Sequence, residues 1–223
     1  MLSETTHAGA QHFERIYNEL SGSEVCTGLV VGGGDGHEAK YLAEQMGTHI
    51  VSVDVRRPSM HHCRFDPVVG DALRLPFNRE SFDFVFCYRV IEHVSSPDTS
   101  LAEIHRVLTI GGILYIGTPN RHRLLGYIGA YSASFREKVV WNCWDYLARL
   151  RGRFRNEYGA HAGFSQHELE KLLARRFNRI VPLTGDYLRF KYAAKMPKVV
   201  QAVLTRRAVI EFCAPAVYVL CVK

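Results

Sequence analysis

Residues 25–54 read VCTGLVVGGGDGHEAKYLAEQMGTHIVSVD, and this stretch decides the fold. Val25 to Val31 is an apolar run that ends in the turn Gly32-Gly33-Gly34-Asp35-Gly36. His37 to Met46 then has helical character and is stopped by Gly47 at a C-cap position, and Ile50 to Val53 is a short apolar strand ending at Asp54. A strand, a helix and a second strand within about 30 residues match the size of a parallel crossover.

Upstream, residues 8–20 place Phe13, Ile16, Tyr17 and Leu20 at helical spacing before a polar loop. Downstream the alternation continues, with Pro67 to Val69 as a short strand and Phe82 to Tyr88 as a buried one. Pro97 to Leu108 reads as a helix capped by Ser96, with Pro97 at its first position. Gly111 and Gly112 turn the chain into a strand over Ile113 to Gly117. Repeated βα units predict an α/β fold with a doubly wound parallel sheet.

Regularity breaks after Asn120. About 40 residues rich in aromatics and arginine follow, read as helices over Leu124–Tyr131 and Phe135–Arg151. The fold resumes at Ser165, which with Glu168 forms a capping box ahead of a helix carrying Leu169, Leu172 and Leu173 on one face. Residues 180–183 and 216–222 are strand-like.

A chain of 223 residues is sized for one α/β core, so residues 1–223 are expected to form a single domain with a helical basic and aromatic insertion at about 121–160. Arg206, Arg207 and Glu211 interrupt the most apolar region, and residues 1–24 lack a signal-peptide pattern, which predicts a soluble, cytoplasmic protein. Cys26, Cys63, Cys87, Cys143, Cys213 and Cys221 show no paired spacing, arguing against a zinc cage and for reduced core thiols. The net charge of +6 is local: Arg121 to Arg155 holds eight Arg or Lys against two acids, leaving 20 of each sign elsewhere.

The glycine-rich turn between a strand and a helix lets backbone pass close to a ligand and offers amide N–H groups to it. A dinucleotide fingerprint would need glycine three positions after Gly34, where His37 stands, so a nicotinamide cofactor is not favoured. Asp54 lies at the distance past the turn where a carboxylate accepts from both ribose hydroxyls of a nucleoside; the alternative is an ordinary cap or turn carboxylate.

The run GDALRLPFNRESFDFVFCYRVIEHVSSPDTSLAEIHRVLTIGGILYIGTPN, Gly70 to Asn120, resembles the class I S-adenosylmethionine-dependent methyltransferases of the ubiquinone and menaquinone type. It carries, in order, an Asp-Ala pair, a Leu-Pro-Phe turn, a buried Phe-Asp strand, a Glu-His dipeptide, a helix ending in Arg-Val-Leu before a double glycine, and Thr-Pro-Asn. With the glycine turn and Asp54, the likeness covers about residues 25–120 and, more weakly, 160–180. The resemblance implies a Rossmann-like doubly wound sheet of about seven strands, mostly parallel with an antiparallel C-terminal strand. It implies S-adenosyl-L-methionine as cofactor and S-adenosyl-L-homocysteine as its product. By position, Gly32, Gly34 and Gly36 would wrap the methionine part, Asp54 with Val55 beside it would hold the ribose, and Asp71 and Ala72 would meet the adenine. Tyr88 and Arg89 would line the reaction cleft. An acidic residue common two places before the first glycine is replaced by Val30, so Asp35 or a backbone carbonyl would serve the amino group. Where ubiquinone-pathway relatives supply a second Glu before Glu-His, and can bind a metal, Arg89 stands; no metal is expected, and Glu92-His93 reads as a capped helix start.

Methyl transfer from a sulfonium needs an acceptor held in line and, for a hydroxyl, a base. His93 and His161 are the candidate bases, with His37 more distant; each also reads as a structural histidine. Cys87 falls within a buried strand pattern, against a nucleophilic role. The leading expectation is methylation of a small-molecule, lipid or glycan acceptor, anionic ones included, at an oxygen atom, with the insertion as a lid. Its aromatics (Tyr127, Tyr131, Phe135, Trp141, Trp144, Tyr146) would bury the acceptor and its arginines would pair with phosphate, carboxylate or an anionic membrane surface. The bland alternative makes the aromatics helix core and the arginines a solvated face. An RNA acceptor fits the basic and aromatic mixture, but the Asn/Asp-Pro-Pro-Tyr signature is absent where Cys87-Tyr88-Arg89-Val90 stands, so nucleic acid is not expected. A non-catalytic cofactor-binding subunit would carry the same motifs. The oligomeric state is not legible.

Overall fold

Leu29, Val30 and Val31 are buried in succession along β1 (Thr27–Val31), the signature of a strand covered on both faces. The computed structural model describes residues 8–21, 27–56, 64–127, 133–158, 161–192, 197, 199, 201–202 and 206–223. Within it β1 pairs in parallel with β2 (His49–Asp54) on one side and β4 (Phe82–Tyr88) on the other. β3 (Phe65–Val69) lies outside β2 and β5 (Leu108–Pro119) beyond β4, both parallel. β7 (Ala216–Val222) runs antiparallel to β5 and to β6 (Arg179–Pro182), completing the order β3-β2-β1-β4-β5-β7-β6. This is the expected seven-stranded, Rossmann-like doubly wound sheet with an antiparallel C-terminal strand.

The period of two divides the side chains between two cores. Val30, Phe84, Phe86 and Tyr115 pack under α1 (Ala8–Ser21) and α2 (His37–Met46). Leu29, Val31, Val85 and Cys87 pack under α3 (Pro97–Val107) and α5 (Gln166–Leu173). Ser96 caps α3 and Ser165 with Glu168 caps α5, as their sequences require.

Several local readings change. β3 begins at Phe65, whose ring is buried, and tolerates Pro67 because it is an edge strand. Leu108 opens β5 rather than closing α3, and Gly111 and Gly112 lie inside β5 at an irregularity in its pairing with β4 instead of forming a separate turn. Residues 124–127 are not helical: the Leu124 N–H goes to the Phe212 carbonyl and the Gly126 N–H to Asn142 Oδ1, so neither joins a helical ladder. Residues 128–131 of that expected helix lie outside the described residues, as do Val25, Cys26 and Cys63. Of the cysteines read as core, Cys87 and Cys221 are buried whereas Cys143 and Cys213 are exposed. α6 (Thr184–Tyr192) and α7 (Arg207–Cys213) were not signalled by sequence. No helix among the described residues is long and apolar enough to cross a membrane.

The insertion supplies α4 (Phe135–Leu150), opened by a Ser134–Glu137 capping box. Asp145 is the one residue of α4 that is buried, and it accepts from Arg123 Nη2 at 2.8 Å and from the Tyr127 hydroxyl at 3.1 Å. With both side chains of the Arg123–Asp145 pair nearly inaccessible to water, loss of one partner strands the other charge. Asp145→Ala is expected to cost about 3–5 kcal/mol in urea unfolding; a cost below about 1 kcal/mol would show that the pair does not hold α4.

Candidate active site

The chain leaves β1 toward β2 but reaches β4 on the opposite flank, so the loops after these strands diverge. A cleft opens at this topological switch, the usual place for a ligand in an open parallel sheet. Its volume is about 490 Å³, within the range of cofactor pockets. Gly32 at the end of β1, Asp54 and Val55 at the end of β2, Asp71 and Ala72 after β3, and Arg89 after β4 all line it. His93 lines it too. Gly34, Asp35, Gly36 and Tyr88 are not among its walls. The pleat of β4 explains Tyr88, which stacks toward Phe86 and Tyr218 in the core beneath α1 and α6, while the next residue, Arg89, turns into the cleft at φ 57°.

Asp54 organises one end. Its Oδ2 accepts from the Gly34 N–H at 2.9 Å and its Oδ1 from the Arg56 N–H at 3.0 Å, tying the glycine turn to the end of β2. A carboxylate has about four acceptor sites, so two amides leave capacity for ligand hydroxyls. Gly34 has φ 51°, and a Cβ there would meet no atom within 4 Å: the turn leaves open space where a side chain would stand. Asp71 closes a local turn by accepting from the Leu73 N–H at 2.9 Å. Ala72, Leu73, Val90 and Val94 supply apolar wall suited to a flat heteroaromatic ring.

The other end is histidine-rich. His93 and His161, 68 positions apart in sequence, meet edge to face with ring centroids 4.6 Å apart. His161 is held in a left-handed conformation, φ 44°, and its carbonyl accepts from Arg123 Nη1 at 3.3 Å. Gly163, φ 71°, keeps this loop against β5: a Cβ would come within 1.8 Å of the Pro119 carbonyl oxygen. Partial burial, and then the neighbouring His161, lower the His93 pKa, so the ring is neutral near pH 7.

The sequence offers Glu92 only as a metal ligand or a helix cap. It is buried in a turn; its Oε2 accepts from the Thr118 hydroxyl at 3.1 Å. Its Oε1 makes no hydrogen bond and lies 3.9 Å from His93 Nε2. Burial pushes its pKa up to about 7, against the pull of the Thr118 bond and of Arg89 and Arg123. The apolar residues flanking Glu-His, Ile91 and Val94, are the sequence signal for this burial. Among the described residues no three His, Cys, Asp or Glu side chains converge as a metal set. Cys87 is buried, with its thiol pushed far up by that burial, and carries no nucleophile.

Residues 29–116 match the family model described as a methyltransferase domain. A probable S-adenosylmethionine-dependent methyltransferase of Mycolicibacterium smegmatis is 29% identical over 49% of this chain and 43% of its own length. The mitochondrial ubiquinone biosynthesis O-methyltransferase of the rat is 31% identical over 49% of this chain and 34% of its own. The chain thus spans less than half the length of these curated relatives. In fold it is similar to the YcgJ protein of Bacillus subtilis, with a TM-score of 0.56 at 16% identity over 97% of this chain and 98% of that one. It is likewise similar to a phosphoethanolamine N-methyltransferase of Haemonchus contortus solved with S-adenosylhomocysteine, with a TM-score of 0.57 at 17% identity over 96% of this chain and 52% of that one.

Because the Glu92 pKa is raised on folding, its contribution to stability is fully present below the ordinary carboxyl pKa and is lost as pH rises through about 7. Glu92→Gln, a neutral isostere, should therefore be roughly 2–3 kcal/mol more stable than the natural protein at about pH 9 and near-equal at about pH 4. Urea unfolding at both pH values measures the difference; a pH-independent offset would place the titration elsewhere.

Proposed function

We propose that this chain is a class I S-adenosyl-L-methionine-dependent methyltransferase, a reading supported by the match of residues 29–116 to a methyltransferase-domain model. Its acceptor in this reading is a small-molecule, lipid or glycan hydroxyl. The observation that carries the proposal is the joining of two unlike ends in one cleft: Asp54 and Gly32, which opens the glycine turn, at one, and His93, in ring contact with His161, at the other.

The residues present fit the cofactor. Asp54 would take the ribose hydroxyls with its remaining acceptor capacity, Val55 would pack beside them, and Asp71 with Ala72 would meet the adenine. The backbone of Gly32, Gly34 and Gly36 would lie along the methionine part, with Asp35 near its amino group and the cleft-lining Arg89 at the acceptor side. When bound, S-adenosylmethionine supplies a methyl group already activated on a sulfonium. The chain's own part is to orient the acceptor hydroxyl and take its proton. In this reading His93, which lines the cleft with its pKa lowered, would take that proton, and the ring of His161 against it would hold its orientation. A proton received by His93 puts a cation 3.9 Å from Glu92 Oε1, which favours the carboxylate of Glu92 and so stabilises the imidazolium.

Asp54→Ala should weaken S-adenosylhomocysteine binding by about 1–3 kcal/mol by isothermal titration; unchanged affinity in a folded variant, or preferential binding of NAD, would defeat the cofactor assignment. With an acceptor identified by a mass-shift screen using isotope-labelled S-adenosylmethionine, His93→Ala should lower kcat by about 10²-fold or more while leaving cofactor affinity intact. A kcat within about twofold of the natural protein would remove His93 from proton transfer.

A further inference from the structure

α4 is amphipathic in the inverted sense. Trp141 meets Tyr127 edge to face, and the other main anchors of α4 are polar: Asn142 exchanges hydrogen bonds with the Gly126 backbone, Asp145 accepts from Arg123 and Tyr127, and Arg149 donates to the Arg123 carbonyl at 2.9 Å. Those three positions, spaced by three and four, make one stripe. The opposite stripe, Val140, Cys143, Trp144 and Leu147, points to solvent, with Trp144 63% and the terminal Leu150 85% exposed. Phe135 and Val139 are also exposed, two turns and one turn before Asn142 on its own side of the helix. A helix that gives its polar face to the protein and its apolar face to water is unfavourable unless something apolar covers it.

Charge selects the cover. Arg136 and Arg151 continue the apolar stripe at its two ends, and Arg153 and Arg155 follow immediately. All four are exposed and make no ion pair among the described residues. A two-fold contact between copies of this chain would press the same arginines together. An anionic lipid surface meets both features at once, taking Trp, Phe and Leu at the headgroup boundary while arginines pair with lipid phosphates. At 16 residues the helix is too short to span a bilayer and suited to lying in its plane.

We propose that α4 docks this protein onto an anionic bilayer surface, its Val140–Trp144–Leu147 face embedded and its arginines on the headgroups. The proposal stands independently of methyl transfer. The sequence supplies the probe, because both tryptophans of the chain, Trp141 and Trp144, lie on α4. The full chain is titrated with vesicles of phosphatidylcholine and of equimolar phosphatidylcholine and phosphatidylglycerol, with and without bromine in the acyl chains. The expected result is a blue shift of tryptophan emission and quenching by the brominated lipid, with the mixed vesicles only, weakening as salt rises.

Arg151→Glu/Arg153→Glu/Arg155→Glu should lower the partition coefficient at least about a hundredfold, given a contribution near 1 kcal/mol per basic residue at such a surface. Leu147→Gln/Leu150→Gln should lower it about tenfold or more while leaving circular dichroism unchanged, since both side chains are exposed. Absence of quenching with anionic vesicles, or equal quenching with the charge-reversed variant, overturns the proposal. So does a dimer in sedimentation velocity that Leu147→Gln/Leu150→Gln disperses, which would make a second copy the occupant.

Discussion

The cleft depends on the fact that β1 is buried on both faces and paired on both edges. Its chain can leave only at the carboxyl end, and it leaves toward β2, whereas the chain that forms β4 arrives on the other flank. The two exits diverge, and the gap between them cannot be filled by the sheet's own side chains. What remains at the rim is backbone amide, and the turn after β1 needs an acceptor for it. Asp54 meets that need from the end of β2 by accepting the Gly34 N–H. The same carboxylate that stabilises the turn therefore sits where a ligand's hydroxyls would arrive, so the structural and ligand-binding readings of Asp54 are compatible.

This explains which parts were legible in the sequence. The β1–turn–α2–β2 unit is local: its periodicity switches within one short stretch and its punctuation is glycine with a required backbone conformation. Cap residues Ser96 and Ser165 are equally local. What sequence hid depends on partners far along the chain. Buried His12 bonds the Tyr115 hydroxyl and Asp186, 103 and 174 positions away, and nothing in the residues around it announces either partner. Tyr88 and Arg89 adjoin in sequence, but Tyr88, the last residue of β4, follows the pleat into the aromatic core, whereas the left-handed backbone of Arg89 brings it to the cleft wall with its guanidinium over the Tyr88 ring. α7 escaped notice because its carboxyl end is completed from outside, by Asn120 Nδ2 donating to the carbonyls of Glu211 and Ala214.

Glu92 shows why burial matters more than residue type. In water a glutamate beside a histidine would be a salt bridge of little consequence. Here one oxygen is bonded to Thr118, the other has no hydrogen-bond partner, and the neighbouring imidazole is itself shifted toward neutrality. Neither group is comfortable as an ion in the resting site, and a proton arriving on the imidazole gives the carboxyl a reason to ionise. The pair is poised to change state together, which an exposed pair is not.

The same economy of partners governs the insertion. Arg123 is 4% exposed, and its guanidinium reaches the carbonyls of Asn120 at the end of β5, of His161 and of Ala162, as well as the Asp145 carboxylate. A planar fork of five donors can serve acceptors from three segments at fixed angles; a lysine ammonium, with three donors on one atom, cannot. That one side chain thus sets both where α4 attaches and where His161 faces His93. Because the attachment of α4 is an ion pair, a few directed hydrogen bonds and the ring contacts of Trp141 with Tyr127 and of Arg149 with Phe154 rather than an apolar seam, most of its hydrophobic residues are not required for packing inward. They are free to face out, and this is the physical reason Phe135 and Trp144, which a conventional amphipathic helix would bury against the fold, stand on its surface.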